Sequence, residues 1–320
     1  MAEWLVFDPD TGLLAAFCLP VWAATLAVFV PLALAVAAIV ALLLMRRRAR
    51  RRAAASREPG PVTGYEVGKL HQQGARECQQ DCFAVSDQAL LPTHGLLAVV
   101  ADGMGGLSDG DRVSAAAVQA ALDAFAQRPG DEGGEVTLLA LAGRAVQAVN
   151  ELLGPEGLRK SGSTLVLALL REGKLHFLTV GDSRVCLWRR GTLYQLNREH
   201  IYRNELALRA VNGELSLAAA LGDEKGGALT SFVGMGALKG VDLPAAPLPL
   251  APGDRVVLMS DGVYNALSRE ELNEALNAPP EKAARALESA IAGKGFSDQD
   301  NYTAVILACR GGQAEADGVS

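Results

Sequence analysis

The hydrophobic and polar positions divide the chain into a uniformly apolar first segment and a body in which short apolar runs alternate with polar turns. From Leu13 to Met45 there are 33 consecutive residues without a charged side chain or a histidine. A helix that rises 1.5 Å per residue needs about 20 residues to cross a bilayer. The pattern therefore predicts one transmembrane helix, which we place from Trp22 to Leu44.

The charges on either side of this segment predict its orientation. The sequence RRRARRR (46–52) follows it directly. The charged residues of the tail before it are all acidic, namely Glu3, Asp8 and Asp10. Because basic residues stay on the cytoplasmic side, we expect a single-pass protein whose body lies in the cytoplasm. A cleaved signal peptide is the alternative, but its basic residues would precede the apolar run, and this run is too long for one.

The body shows two hydrophobic periods, one of strand type and one of helix type. Strands are expected at 65–70, 82–86, 96–101, 164–170, 174–180, 184–188, 254–260 and 302–309, and helices at 111–127, 135–153, 269–276 and 281–292. The strands from 164 to 188, joined by the short turns REG and GDS, indicate an antiparallel meander. Helices that come in pairs, without regular alternation with strands, predict an α+β domain of two stacked, mainly antiparallel sheets flanked by helices.

Composition gives the same division. Four segments are expected: the tail and transmembrane anchor (1–45), a basic juxtamembrane segment and linker (46–61), the globular domain (62–310) and a flexible tail (311–320). Residues 1–60 carry seven Arg and four acids, a net charge of +3, and the rest carries 23 basic and 32 acidic residues, a net charge of −9. An acidic body argues against nucleic acid as a partner. The five cysteines lack the paired spacing of a zinc site and are interpreted as reduced thiols.

Four aspartates, Asp102, Asp182, Asp261 and Asp300, each stand where an apolar run gives way to a predicted turn. An acidic side chain at the end of a buried strand is costly unless it meets a cation or a hydrogen-bond donor. If several such strand ends converge, their oxygens suit hard divalent cations. Each motif taken alone is equally consistent with a simple turn, since Asp-Gly is a common turn dipeptide.

Eight short segments of the body, in sequence order, are similar to those of one enzyme family. They are RECQQD (76–81), DGMGG (102–106), GDRVSA (110–115), GST (162–164), VGDSR (180–184), LNREH (196–200), SDG (260–262) and DN (300–301). The body thereby resembles the PP2C-type (PPM) metal-dependent serine/threonine phosphatases, especially the bacterial ones. The resemblance runs from Val62 to about Arg310 and implies a PP2C-like α-β-β-α sandwich.

The resemblance also implies a set of site residues. The metal-site residues would be Asp102, Gly103 (through its carbonyl), Asp182, Asp261 and Asp300, and Asp81, which would approach the ions directly or through bound water. Asp102 would bridge two ions, either Mn²⁺ or Mg²⁺, and Asp182 would help to hold a weaker third ion. Arg76 would bind the substrate phosphate with its planar guanidinium group.

The implied reaction is hydrolysis of phosphoserine and phosphothreonine in cytoplasmic proteins. A water shared by two cations would lose its proton and attack phosphorus in line, while Arg76 offsets charge on the phosphate oxygens. The implied partners are phosphorylated Ser/Thr proteins, an opposing Ser/Thr kinase and, through the anchor, the lipid bilayer of a bacterial inner (plasma) membrane.

Some residues depart from the family pattern. Met104 stands where animal members often have a His that protonates the leaving group, and Gln80 stands where Glu is frequent. The segment 201–249 corresponds to the flap that shapes access for protein substrates in this family. The alternative function is a catalytically weak, membrane-tethered binding or scaffold module; retention of Arg76, Asp102, Asp261 and Asp300 favours the enzyme.

Overall fold

The computed structural model describes residues 2–8, 13–19, 40, 45, 60–105 and 109–311. The chain divides into two units between Pro59 and Gly60. In the first unit, strands β1 (Ala2–Asp8) and β2 (Leu13–Leu19) form an antiparallel hairpin. The predicted transmembrane span lies outside the described residues except for Val40, which is helical, as is Met45.

The second unit contains the elements that the hydrophobic pattern predicts, with a few additions. Its strands are β3 (Val62–Gln72), β4 (Asp81–Val85), β5 (Leu96–Gly105), β6 (Ser161–Ser163), β7 (Leu165–Arg171), β8 (Lys174–Val180), β9 (Arg184–Arg189), β10 (Thr192–Gln195), β11 (Leu248–Pro249), β12 (Arg255–Met259) and β13 (Tyr302–Gly311). Its helices are α1 (Leu91–His94), α2 (Gly110–Gln127), α3 (Gly134–Gly157), α4 (Tyr202–Val211), α5 (Leu217–Leu221), α6 (Asp261–Tyr264), α7 (Arg269–Ala275) and α8 (Pro280–Ala292). A 3-10 turn, Gln88–Leu90, precedes α1.

The strands form two antiparallel sheets. One has the order β10-β9-β12-β13-β3, and the other has the order β11-β8-β7-β5-β4, with β6 paired to the last residues of β5. Residues along β5 alternate between the two faces of its sheet. Leu97 and Val99 pack against α2 and α3, whereas Leu96 and Ala98 belong to the core between the sheets. The helices α7 and α8 cover the outer face of the other sheet.

The result is a helix-sheet-sheet-helix sandwich, as the sequence predicts. Local signals account for several element ends. Ser268 caps α7 in a capping box with Glu271, as expected from their spacing. The regular part of α3 ends at Gly154, whose φ of +61° breaks the helix just before Pro155.

One helix of the described part of the chain, Gly134–Gly157, is long and apolar enough to cross a membrane. It is α3, and its Leu138, Leu141, Ala145 and Val149 are fully buried in the core of the second unit. Burial of one face against a sheet is what a core helix of a globular domain requires. Its length and apolar character therefore reflect packing within the sandwich.

The structure corrects two sequence interpretations. The segment GDS does not make a hairpin turn, because β8 and β9 lie in different sheets and Asp182 sits in the link between them. The strand β5 does not end at Asp102 but continues to Gly105, since Gly103–Gly105 pair with Ser161–Ser163. Pairing with a distant segment overrides the local turn preference of Asp-Gly.

Candidate active site

Two of the predicted ligands face each other across a strand pair. Asp81, the first residue of β4, lies directly opposite Asp102 of β5 in the antiparallel register. Directly opposed side chains in a sheet are close neighbours, and like charges at such positions repel. The fold therefore places two acidic groups side by side, an arrangement that costs stability unless something offsets it.

The Asp81 carboxylate is held from one side only. Ser260 Oγ donates a hydrogen bond of 2.7 Å to Asp81 Oδ2 and accepts one of 3.0 Å from the backbone N–H of Thr303. Asp81 is only 4% exposed, and its second oxygen, Oδ1, is buried without a hydrogen-bond partner. A buried carboxylate oxygen with free lone pairs is a suitable ligand for a cation.

The backbone at Asp102 is fixed by the GST segment. Its N–H donates to Thr164 Oγ1 over 2.9 Å, and its carbonyl accepts from Ser163 Oγ over 3.0 Å and from the Thr164 N–H over 2.9 Å. Ser163 and Thr164 therefore hold the Asp102 backbone in place. The structure also explains Gly103: a Cβ there would lie 2.6 Å from the carbonyl oxygen of Gln80 and would collide with the carbonyl of Gly110.

Asp261 and Asp182 approach the same place from two other elements. Asp261 is the first residue of α6, and its carboxylate is near enough to raise the pKa of Asp102. Asp182 follows β8, where its carbonyl accepts a hydrogen bond of 3.2 Å from the Tyr264 hydroxyl. The ring of Tyr264 in turn lies 3.4 Å from the guanidinium of Arg184, which pairs with Glu199.

Arg76 and Asp300 complete the group. Arg76 Nη2 lies 2.6 Å from Asp300 Oδ2, and the other oxygen of Asp300 accepts a hydrogen bond of 2.8 Å from the Asn301 N–H. Arg76 belongs to the loop between β3 and β4, and Asp300 directly precedes β13. The predicted phosphate-binding residue is therefore in contact with a predicted metal ligand.

The pKa values of the acidic groups are raised by burial and by the neighbouring carboxylates. Burial raises the pKa of Asp81 and of Asp182 to about 6 each, and the neighbouring Asp261 carboxylate adds to both shifts. The pKa of Asp102 lies well above its usual range because of burial and then of Asp81, Asp261, Asp182 and Asp300. The pKa of Asp261 is raised by burial and then by Asp300. A cation among these groups would offset the charge that raises them.

The carboxylates do not form a closed metal shell as they stand. Within residues 60–105 and 109–311, no three Asp, Glu, His or Cys side chains are grouped tightly enough to hold a metal ion. The separate partners give a physical reason, because Ser260 holds Asp81 and Arg76 holds Asp300. The donor set nevertheless fits a hard cation, since it consists of carboxylate oxygens with one free buried lone-pair site at Asp81.

The sequence profile of the family described as protein phosphatase 2C matches residues 67–294, more than two thirds of the chain. The chain belongs to the protein phosphatase 2C family. This membership makes it a protein serine/threonine phosphatase and confirms the predicted enzyme class.

The relatives of this phosphatase include several bacterial ones. The serine/threonine phosphatase stp of Listeria welshimeri is 28% identical over 216 residues, which cover 66% of this chain and 83% of stp. The structure of the S. agalactiae serine/threonine phosphatase matches with a TM-score of 0.67 at 24% identity and covers 77% of this chain and 100% of that chain. The catalytic domain of the phosphatase PstP in complex with 2 manganese ions matches with a TM-score of 0.57 at 26% identity, covering 77% and 98%. These matches confirm the predicted fold class.

Two residues of the PP2C site were part of recognised motifs but had no predicted role. Ser260 of SDG orients Asp81, and Asn301 of DN binds the loop that carries Arg76. The motifs marked both positions, but only contacts between distant parts of the chain show what the side chains do. The roles of the seven predicted site residues as metal ligands and phosphate-binding group stay predictions.

Proposed function

We propose that this phosphatase is tethered to a bacterial inner membrane and hydrolyses phosphoserine and phosphothreonine of cytoplasmic proteins with the help of divalent cations. The observation that carries the proposal is the placement of Asp81 directly opposite Asp102 in the strand register, together with the Arg76–Asp300 pair. Opposed acids, one buried and one half-buried, beside an exposed guanidinium suit a site that holds cations and a phosphate group together.

The cations would be Mn²⁺ or Mg²⁺, two of them with a weaker third. Asp81, Asp102, Asp261, Asp300 and the Gly103 carbonyl would hold the pair, and Asp182 would help to hold the third. When bound, the cations would supply positive charge to the phosphate and lower the pKa of the attacking water. The manganese in the PstP structure supports this choice of metal.

The other parts of the site are supplied by the chain itself. Arg76 would bind two phosphate oxygens with its planar guanidinium and hold the ester in line for attack. Ser260 would keep Asp81 Oδ1 turned toward the site by holding Oδ2. The backbone contacts of Ser163 and Thr164 would keep Asp102 rigid.

Hydrolysis assays on the full chain test this proposal. With Mn²⁺, we expect turnover of p-nitrophenyl phosphate and of a phosphothreonine peptide, and loss of turnover after EDTA. Asp102→Asn should be inactive, whereas Asp123→Asn, which changes an exposed carboxylate on α2, should be as active as the wild type. No turnover with any divalent cation would support the scaffold alternative instead.

The membrane tether has its own test. The 33 uncharged residues followed by RRRARRR support it. A C-terminal reporter that is active only outside the cytoplasm should give no signal, and the chain should sediment with membranes unless residues 1–45 are removed. Tethering would raise the effective concentration of the phosphatase toward membrane-bound phosphoproteins and their opposing kinase.

A further inference from the structure

We infer that Asn301 is a positioning residue for Arg76: its side chain clamps the loop that presents the guanidinium to the substrate phosphate. The inference rests on the proposed function, since it concerns the same phosphate site. Asn301 itself lies directly after Asp300 and is 4% exposed. It therefore acts through the loop and not by contact with substrate.

The amide of Asn301 bonds to the loop on both sides of Arg76. Nδ2 donates to the carbonyl of Gln73 over 2.7 Å and to the carbonyl of Cys78 over 3.0 Å, and Oδ1 accepts from the N–H of Gln80 over 2.8 Å. Both donors and one acceptor position of the side chain are thus used by residues 73–80. A loop closed by one buried side chain has fewer conformations available than a free surface loop.

The backbone beside Asn301 fits the same loop. The N–H of Ala75 donates to the carbonyl of Gln299 over 2.8 Å. Gly74 has φ +65°, and any side chain there would collide with the carbonyl of Asp300. The loop therefore lies flat against residues 299–301, and Arg76 projects from a segment held at both ends.

The clamp matters because the hydrogen bond to the Arg76 backbone itself, 2.7 Å from Gln73 Nε2 to its carbonyl, comes from within the same loop. The Arg76 side chain is 57% exposed and forms an ion pair with Asp300. An exposed long side chain loses much rotamer freedom when it binds a phosphate. Fixing the backbone at Arg76 reduces the freedom that remains to be lost and so strengthens phosphate binding.

The chemistry of the clamp selects an amide. An aspartate at this position would keep the acceptor for Gln80 but would turn a carboxylate oxygen toward the carbonyls of Gln73 and Cys78, where only a donor fits. An alanine would leave three backbone groups of the loop without this partner. Both changes release the loop, and they do so without removing a group that touches substrate.

A double-mutant cycle in the full chain tests the inference with the phosphothreonine peptide and Mn²⁺. Arg76→Ala and Asn301→Ala should each raise KM by about tenfold or more. The double variant should raise KM about as much as Arg76→Ala alone, because a clamp has no effect on a guanidinium that is absent. Effects on KM that multiply in the double variant would overturn the inference.

Asn197 supplies a matched control. It is also buried, at 6% exposed, and its amide also bonds to backbone groups, the N–H of Val185 and the carbonyl of Ser183. Asn197→Ala should destabilise the fold by a similar amount, and its effect on KM should multiply with that of Arg76→Ala. Absence of hydrolysis by the wild-type chain would contradict the proposed function. If the wild type is active but the KM effects of Asn301→Ala and Arg76→Ala multiply, only this inference is contradicted.

Amide hydrogen exchange on the wild-type chain tests the clamp without depending on the folding of a variant. The N–H of Gln80 should exchange as slowly as the amides of β4, because Asn301 Oδ1 holds it. Exchange at the rate of an exposed loop would show that the clamp is open and would overturn the inference. If Asn301→Ala does not fold, Asn301→Asp takes its place in the cycle with the same expectation.

Discussion

Arg76 and Asp300 form an ion pair in which Nη2 and Oδ2 are 2.6 Å apart. One member is the proposed phosphate-binding group, and the other is a proposed metal ligand. A cation on Asp300 competes with Arg76 for that carboxylate, which frees the guanidinium for phosphate. Cation and phosphate should therefore bind with positive coupling. A cation bound to Asp300 leaves Arg76 free for phosphate, and phosphate bound to Arg76 leaves Asp300 free for the cation.

Removal of Arg76 should separate the two functions of this pair. In Arg76→Ala, KM for a phosphothreonine peptide should rise by about tenfold or more, because a charge-assisted contact to phosphate is lost. Affinity for Mn²⁺ should stay equal or increase, since Asp300 no longer has a competing cation. Steady-state kinetics and calorimetric Mn²⁺ titration measure both. Arg112→Ala, at another exposed Arg, is the control, and a clear loss of Mn²⁺ affinity in Arg76→Ala contradicts the account.

Replacement of Asp102 should lower activity and raise stability together. Its pKa is raised by burial and by four neighbouring carboxylates, so the ionised group destabilises the metal-free fold at neutral pH. In Asp102→Asn, kcat should fall more than about 100-fold, and Tm in EDTA should rise. Thermal unfolding with and without Mn²⁺ measures the second effect, with Asp123→Asn as the control. A lower Tm in EDTA for Asp102→Asn would show that the acidic group is not a source of strain.

The pH dependence of stability has a definite sign. The ordinary carboxyl pKa is 3.8, but Asp182 keeps its proton to about 6 in the folded state. Between these values the folded state binds more protons than the unfolded state, so the free energy of unfolding falls as pH rises. Each unit of raised pKa corresponds to about 1.4 kcal/mol.

Urea unfolding of metal-stripped protein at pH 4.5 and pH 7 measures this effect. The wild type should lose stability relative to Asp182→Asn as pH rises between the two values. The difference between the two proteins cancels the titration of the many surface carboxyls. If the free energy of unfolding of the wild type instead rises relative to that of the variant as pH rises, the pKa of Asp182 is not raised in the folded state.

Loss of the Ser260 hydroxyl should weaken metal binding. Ser260→Ala removes the donor that holds Asp81 Oδ2, so the carboxylate can turn its free oxygen away from the site. Partners of metal ligands of this kind typically contribute about 10- to 100-fold to affinity. Ser268→Ala, which removes the cap of α7, should cost about 1 kcal/mol of stability and leave the Kd for Mn²⁺ unchanged. Equal Mn²⁺ affinities in the two variants would argue against a role for Ser260.

The sandwich could be predicted from sequence because its strands and helices depend on short-range signals. The continuous apolar run Leu96–Ala101 and the helical period of Leu138, Leu141 and Ala145 both correspond to buried positions. Motifs such as DGMGG and SDG, in their order along the chain, carry the family resemblance, and the resemblance implies the candidate site residues.

The details of the site depend on contacts between residues far apart in the chain. Ser260 and Asp81 are 179 positions apart, and Asn301 and Gln73 are 228 apart. No local pattern predicts such pairs. The predicted end of β5 was wrong for the same reason. The strand continues past Asp102 by pairing with β6, which is remote in sequence. Predicting GDS as a hairpin turn failed because turn residues do not reveal that the next strand joins another sheet.

The most direct test of the central claim is a crystal structure of the protein with Mn²⁺, with anomalous scattering recorded at the manganese edge. Two strong anomalous peaks are expected among Asp81, Asp102, Asp261 and Asp300, with a weaker third near Asp182. Asp102→Asn should lose at least one of the two strong peaks. Manganese peaks elsewhere, or none within coordinating distance of these carboxylates at saturating Mn²⁺, would contradict the account.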